Sequence, residues 1–163
     1  MKKGLVFFLV LGLAGLTLSC RKEAEDLQSE KTESGQAQPV KASPERVKVQ
    51  HILISFAGSI PKPEVIRTQA EAEELALQLF ERARNGEDFD ALVEEYTDDV
   101  YPGIYAMTNQ GVTPDSAAQE FPRAGMVKAF GDVSFSLEVG EIGMTKFDPE
   151  TSRYGWHIIK RLE

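Results

Sequence analysis

The last ten residues, Tyr154-Gly155-Trp156-His157-Ile158-Ile159-Lys160-Arg161-Leu162-Glu163, constrain the fold most. They read as one strand. Trp156, Ile158 and Leu162 fall on one face, and His157, Ile159 and Arg161 on the other. Aromatic and β-branched residues suit a pleated, half-buried surface. Gly155, just before the run, allows close approach of another backbone. His157 is the unusual member, because it shares its face with an isoleucine. His51, the only other histidine, lies in a second strand-like run, Val47 to Phe56. If these strands pair, both imidazoles can meet on one floor, which the rest of the chain must enclose.

The beginning of the chain has a different character. Lys2 and Lys3 precede an uncharged run from Gly4 to Ser19. That run is short for a spanning helix, which needs about 20 residues. It has the basic start and apolar middle of a secretory signal. Leu16-Thr17-Leu18-Ser19-Cys20 resembles the bacterial lipobox, in which the cysteine is lipidated, although Thr17 stands where that motif usually has leucine. Cys20 is therefore the expected lipidation site; cleavage nearby by signal peptidase I, leaving a free thiol, is the alternative. Cys20 is the only cysteine, so no intrachain disulfide can form and the body of the chain has no thiol nucleophile. Residues 21–45 are polar, with Pro39 and Pro44 and almost no large apolar side chains. They cannot offset the entropy of ordering and read as a flexible tether. The expected organisation is a signal segment over 1–20, a tether over 21–45 and one domain over 46–163.

Charge narrows the partners. Loss of residues 1–20 removes two lysines and no acid, leaving 16 basic against 26 acidic residues, a net charge of −10. Nucleic acid and an anionic membrane surface are poor partners for such a chain. Attachment to a membrane must come from lipid on Cys20.

Within the domain, Thr68 and Glu71 form a capping box. The helix that follows buries Ala72, Leu75, Ala76, Leu79 and Ala83, one stripe at helical spacing, and ends at Asn85-Gly86. A second helix near Phe89 to Tyr96 turns Phe89, Leu92, Val93 and Tyr96 inward. A short strand is expected around Ile104 to Thr108. Thr113-Pro114-Asp115 could begin a brief helix. Met126 to Phe130 starts a helix toward Phe135, and Met144 to Phe147 is a candidate strand. The order makes an α+β domain with a small mixed or antiparallel sheet. No nucleophile elbow, phosphate loop or metal-ligand spacing is present, and two distant histidines are a weak metal signal.

Four stretches together resemble the parvulin family of peptidyl-prolyl cis/trans isomerases. They are Val49 to Ile54; Gly86 to Leu92, leading to Tyr96-Thr97-Asp98-Asp99; Met126 through Phe130 to Gly143; and Tyr154 to Lys160. The resemblance implies a small sheet of about four strands surrounded by helices. It implies that His51 and His157 are the family's paired core histidines, and that Asp99 stands at the active centre. Ile104, Met107, Met126 and Phe130 would hold the proline ring, with Tyr154 as an aromatic beside them. Partners would be exported or unfolded proteins with Xaa–Pro bonds. The chain departs from the family at Ile104-Tyr105-Ala106-Met107, where a Gly-Asp-Leu-Gly-x-Phe stretch is usual, and in the longer connection from Gln110 to Gly125. The loop after the first strand holds only Lys62 and Arg67, not the basic cluster of phosphate-directed members.

Rotation about an Xaa–Pro bond faces a barrier of roughly 18–20 kcal/mol, because the C–N bond has partial double-bond character. No bond is broken, so neither nucleophile nor cofactor is needed. An isomerase working on exported proteins is one reading. The other is a catalytically silent module that binds proline-containing segments as a chaperone or adaptor. The bland alternative for each histidine is a structural hydrogen bond in a core.

Overall fold

A computed structural model of the protein describes residues 42–163. The expected signal segment with Cys20, and the tether as far as residue 41, lie outside the described residues. The elements are β1 (Arg46–Ile54), α1 (Gln69–Arg84), α2 (Phe89–Tyr96), β2 (Ile104–Thr108), β3 (Glu120–Pro122), a 3-10 turn (Arg123–Gly125), α3 (Lys128–Ser136), β4 (Ile142–Thr145) and β5 (Trp156–Arg161). They form an α+β domain around one five-stranded sheet, ordered β3-β2-β1-β5-β4. All pairs are antiparallel except β2 with β3, which is parallel.

The sheet has one strand more than the expected four. The extra strand is β3, inside the Gln110–Gly125 connection, where the brief helix at Pro114 does not form and the chain runs through turns instead. Three residues ending in proline give too little pattern to mark a strand, and proline suits an edge.

Alternation along the strands sorts the side chains onto two faces. Ile52, Ile54, Trp156 and Ile158 pack under α1 and α2, against Ala72, Ala76, Leu79, Phe89, Leu92 and Val93. Val47, Val49, Met107 and Ile159 pack on the opposite face under α3, against Phe130, Phe135 and Leu137. The helix signals in the sequence are realised. Thr68 accepts from the Glu71 N–H while the Glu71 carboxylate accepts from the Thr68 N–H, Asn85 caps the C-terminus of α1, and α2 begins on the Asp88 side chain. Gly155 has φ of +139°, and a Cβ there would stand 2.1 Å from the Ile54 carbonyl oxygen. That close approach brings the start of β5 against the end of β1.

Candidate functional site

β1 and β5 pair with His51 opposite Ile159 and Leu53 opposite His157. This register puts both imidazoles on the α3 face, diagonal to one another. Their Nδ1 atoms are 3.2 Å apart. The rings are close to parallel, at 13°, with centroids 5.4 Å apart. The expected meeting of the two histidines on one floor is realised.

Asp99 reaches the same floor from the end of α2. Thr97 caps that helix, and its hydroxyl accepts from the Leu53 N–H at 3.1 Å and the Asp99 N–H at 3.2 Å. Asp98 is turned the other way. It accepts from the Ser55 N–H at 2.7 Å and pairs with Arg67 at 2.5 Å. The two aspartates thus divide the work, Asp98 fastening α2 to β1 and Asp99 facing the cavity. One Asp99 oxygen, Oδ2, meets His51 Nε2 at 3.0 Å and accepts from the Tyr105 hydroxyl at 2.9 Å.

This chain fixes the protons. The His51 hydrogen bond first, and then the Tyr105 hydroxyl, hold the Asp99 carboxyl well below the usual carboxylate range. Being ionised, Asp99 can only accept, so His51 Nε2 carries a proton. With neutral rings, His51 Nδ1 is then a lone pair and His157 Nδ1–H donates to it. His157 Nε2, buried without a partner among the described residues, is left as a lone pair rather than an orphaned N–H. Burial, and after it the proximity of His51, push the His157 imidazole well below its ordinary range. Burial and the bond to Asp99 push the Tyr105 phenol up to about 12, so it stays a donor.

Above this floor lies a cavity of about 530 Å³. Phe130, from the first turn of α3, meets the His51 ring edge-on at 5.0 Å. Met126 and Val127 enter from the segment before α3, Tyr154 from the turn before β5, and Ile60, Pro61 and Lys62 from the loop after β1. The walls are mostly apolar, and the polar groups converge on Asp99. Such a site can hold a compact apolar ring beside a fixed negative charge. Among the described residues, no cluster of side chains has the makings of a metal site.

Of the residues expected here, the cavity brings together His51, Asp99, His157, Met126, Phe130 and Tyr154. Ile104 and Met107 do not line it. Alternation along β2 puts them on opposite faces, so one wall could not have held both. Met107 is sealed in the core beneath α3, and Ile104 opens onto a neighbouring groove. Tyr105 lines the cavity in their place. The sequence contained the signal for it, because Tyr105 shares a face with Met107 and, through the β1–β2 register, stands opposite Val49. The 60–62 loop had no such signal, since its place at the cavity depends on tertiary folding.

Comparison with known proteins agrees with this geometry. The family model of the PPIC-type PPIase domain matches residues 35–163. The chaperone SurA of Pseudomonas putida is 34% identical over 118 residues, which are 72% of this chain and 23% of that protein. The foldase protein PrsA 4 of Bacillus cereus is 34% identical over 100 residues, 61% of this chain and 31% of that one. The chain thus spans a third or less of the length of these curated relatives. Among solved structures, that of TbPIN1 has a TM-score of 0.53 at 22% identity, covering 73% of this chain and 98% of the other, a likeness of fold. The chain belongs to the family of PPIC-type PPIase domains, the parvulins.

Proposed function

We propose that the domain is a peptidyl-prolyl cis/trans isomerase that assists the folding of exported proteins at the cell envelope. The observation that carries this reading is the Asp99–His51–His157 chain on the floor of an apolar cavity. Met126, Phe130 and Tyr154 hold the proline ring. A twisted amide has less charge separation than a planar one, so a dry wall favours it. Asp99 adds a differential effect. The planar amide carries partial negative charge on its carbonyl oxygen, and a carboxylate beside that oxygen raises the planar form relative to the twisted one. His51 holds Asp99 ionised and in place, Asp99 fixes the tautomer of His51, and His157 donates to the Nδ1 that this leaves as an acceptor. His157 is therefore a positioning residue. The relatives named chaperone and foldase support a role in protein folding. The place at the envelope rests on the signal-like start of the chain, with Cys20 as lipid anchor.

Of the altered Ile104–Met107 stretch only Tyr105 lines the cavity, where its hydroxyl donates to Asp99; Met126, Phe130 and Tyr154 are left to hold the ring, which favours the isomerase over a silent module. Exchange NMR on a short Xaa–Pro peptide tests the proposal. Accelerated exchange with the chain, falling in Asp99→Ala, is expected. Perturbed peptide shifts without acceleration would make the domain a binding module.

A further inference from the structure

Exposed hydrophobic side chains continue beyond the cavity, among polar ones. Beyond Tyr105 lies a second groove of about 650 Å³, of which Tyr105 is also a wall. Val100, Tyr101, Ile104 and Phe121 line it, and they are four of the large hydrophobic side chains left exposed among the described residues, Val100 at 73% and Phe121 at 46%. Isolated exposed hydrophobics are ordinary, but a contiguous group beside a binding cavity is not. The floor of the groove is the outer edge of β2. β3 pairs only with Ala106 to Thr108, so among the described residues Ile104 and Tyr105 have no strand neighbour on that side.

The groove is held in shape. Gln50, buried beneath it, donates to Asp90 at 2.6 Å and to the Pro102 carbonyl at 3.0 Å. The Tyr101 hydroxyl donates to the other Asp90 oxygen at 3.0 Å. The His51 N–H donates to the Gly103 carbonyl at 3.0 Å, which ties the loop to the site histidine itself. Phe121 meets the Tyr105 ring with centroids 5.9 Å apart. Asp99, at the reacting position, and Val100, in the groove, are consecutive residues, so a segment lying across Asp99 has only Tyr105 to pass.

We infer that this groove is a subsite for the client chain, taking a large apolar side chain on an extended segment that flanks the proline. The inference rests on the isomerase reading only for where the proline sits. Strand-like backbone suits the open edge of β2, and Val100, Ile104, Tyr105 and Phe121 form an apolar patch for the side chain within a groove that Lys48 and Gln119 also line. The test compares two Ala–Pro peptides that differ at one flanking position, leucine in one and serine in the other, with the change placed on either side of the proline. Catalysed exchange and peptide affinity are read by NMR. In one of the two placements the leucine peptide should show about tenfold higher kcat/KM and tighter binding. Val100→Ser and, separately, Phe121→Ser should abolish that advantage, while Val100→Ser leaves turnover of the serine peptide unchanged. Equal rates and affinities in both placements would overturn the subsite and leave the isomerase standing. A leucine advantage that survives both substitutions would also overturn it. Tighter binding of the leucine peptide without turnover of either would keep the subsite and remove the isomerase.

Discussion

Nδ1 of His51 and Nδ1 of His157 face one another at 3.2 Å, in a contact that is satisfied only if one ring donates and the other accepts. Asp99 decides which, by accepting the hydrogen bond from His51 Nε2–H. The energetics of the pair should therefore be non-additive. His51→Leu strips the donor from Asp99 and the acceptor from His157, and should cost about 2–4 kcal/mol. His157→Leu should cost about 1–2 kcal/mol, because it leaves one lone pair unpaired and removes another that already was. The double replacement should cost less than the sum. Urea unfolding of the three variants measures this, and strict additivity would deny the coupling.

Asp99 should matter to rate more than to stability. Its side chain is 29% exposed, so its loss can be partly made good by water. Asp99→Ala should lower kcat/KM about ten- to a hundredfold with a small change in unfolding midpoint. Asp99→Asn keeps an acceptor for His51 and Tyr105 but removes the charge. Full activity in the asparagine variant would show that the hydrogen bonds, and not the charge, do the work.

Acid should weaken the fold in two stages, and the sign follows from proton counting. His157 has a folded pKa depressed below its ordinary 6.5. Between these values the unfolded chain holds a proton that the native ring refuses, so stability falls as pH falls below about 6.5, by up to about 1.4 kcal/mol per pH unit. Asp99 is depressed below 3.8. The native state keeps it ionised after the unfolded chain has protonated it, and its contribution, complete above that value, is lost as pH falls further. The surface carboxylates with lowered pKa, Glu71, Glu87, Asp132 and Asp148, also act only below about 4.5. Urea midpoints between pH 7 and pH 5 thus lie above the range in which these carboxylates act. The slope there should be positive in the natural chain and flatter in His157→Leu; the same slope in both would place the titration elsewhere.

The parts of the molecule that the sequence made legible are those set by local pattern. The capping box at Thr68 and Glu71, the apolar stripe of α1 and the alternation of β5 are each decided within a few residues, and each is realised. The pairing of His51 with His157 needed only the register of two strands, which one buried face on each enforces. What stayed hidden depends on distant chain. β3 exists because β2 offers an edge, and Ile60 to Lys62 reach the cavity because β1 ends where it does. For β2 the family pattern and the strand pattern disagree: position in the family points to Ile104 and Met107, whereas strand alternation within the same five residues sets those two on opposite faces and leaves Tyr105 to face the cavity.

Gly155 is a sharp test of the β1–β5 junction. A methyl group there would stand 2.1 Å from the Ile54 carbonyl oxygen, in a backbone conformation that L side chains rarely adopt. Gly155→Ala should cost about 3 kcal/mol or more and shift both imidazoles, since His157 is two residues on. Thermal unfolding reads the first effect and histidine ring NMR signals the second. A variant with natural stability would mean that the turn before β5 relaxes freely.

Phosphorylation before the proline should bring no advantage. Lys62 is the one cation lining the cavity among the described residues, and its ammonium donates to the Asp98 carbonyl at 2.5 Å. Arg67, the other basic residue of that loop, is committed to the Asp98 carboxylate and donates to the Ser55 carbonyl at 3.0 Å. A phosphate carries a charge of about −1.5 to −2 and asks for several donors at once. Here it would meet one engaged lysine, beside the ionised Asp99 and in an acidic protein. Phosphoserine–proline peptides should therefore be turned over no faster than serine–proline peptides, and more slowly at low salt, where repulsion is least screened. Competition between the two peptides in one exchange experiment measures the ratio. A preference for the phosphopeptide would mean that Arg67 leaves Asp98 when substrate binds. Arg67→Ala would then abolish the preference, whereas on the present geometry it only loosens the tie between α2 and β1.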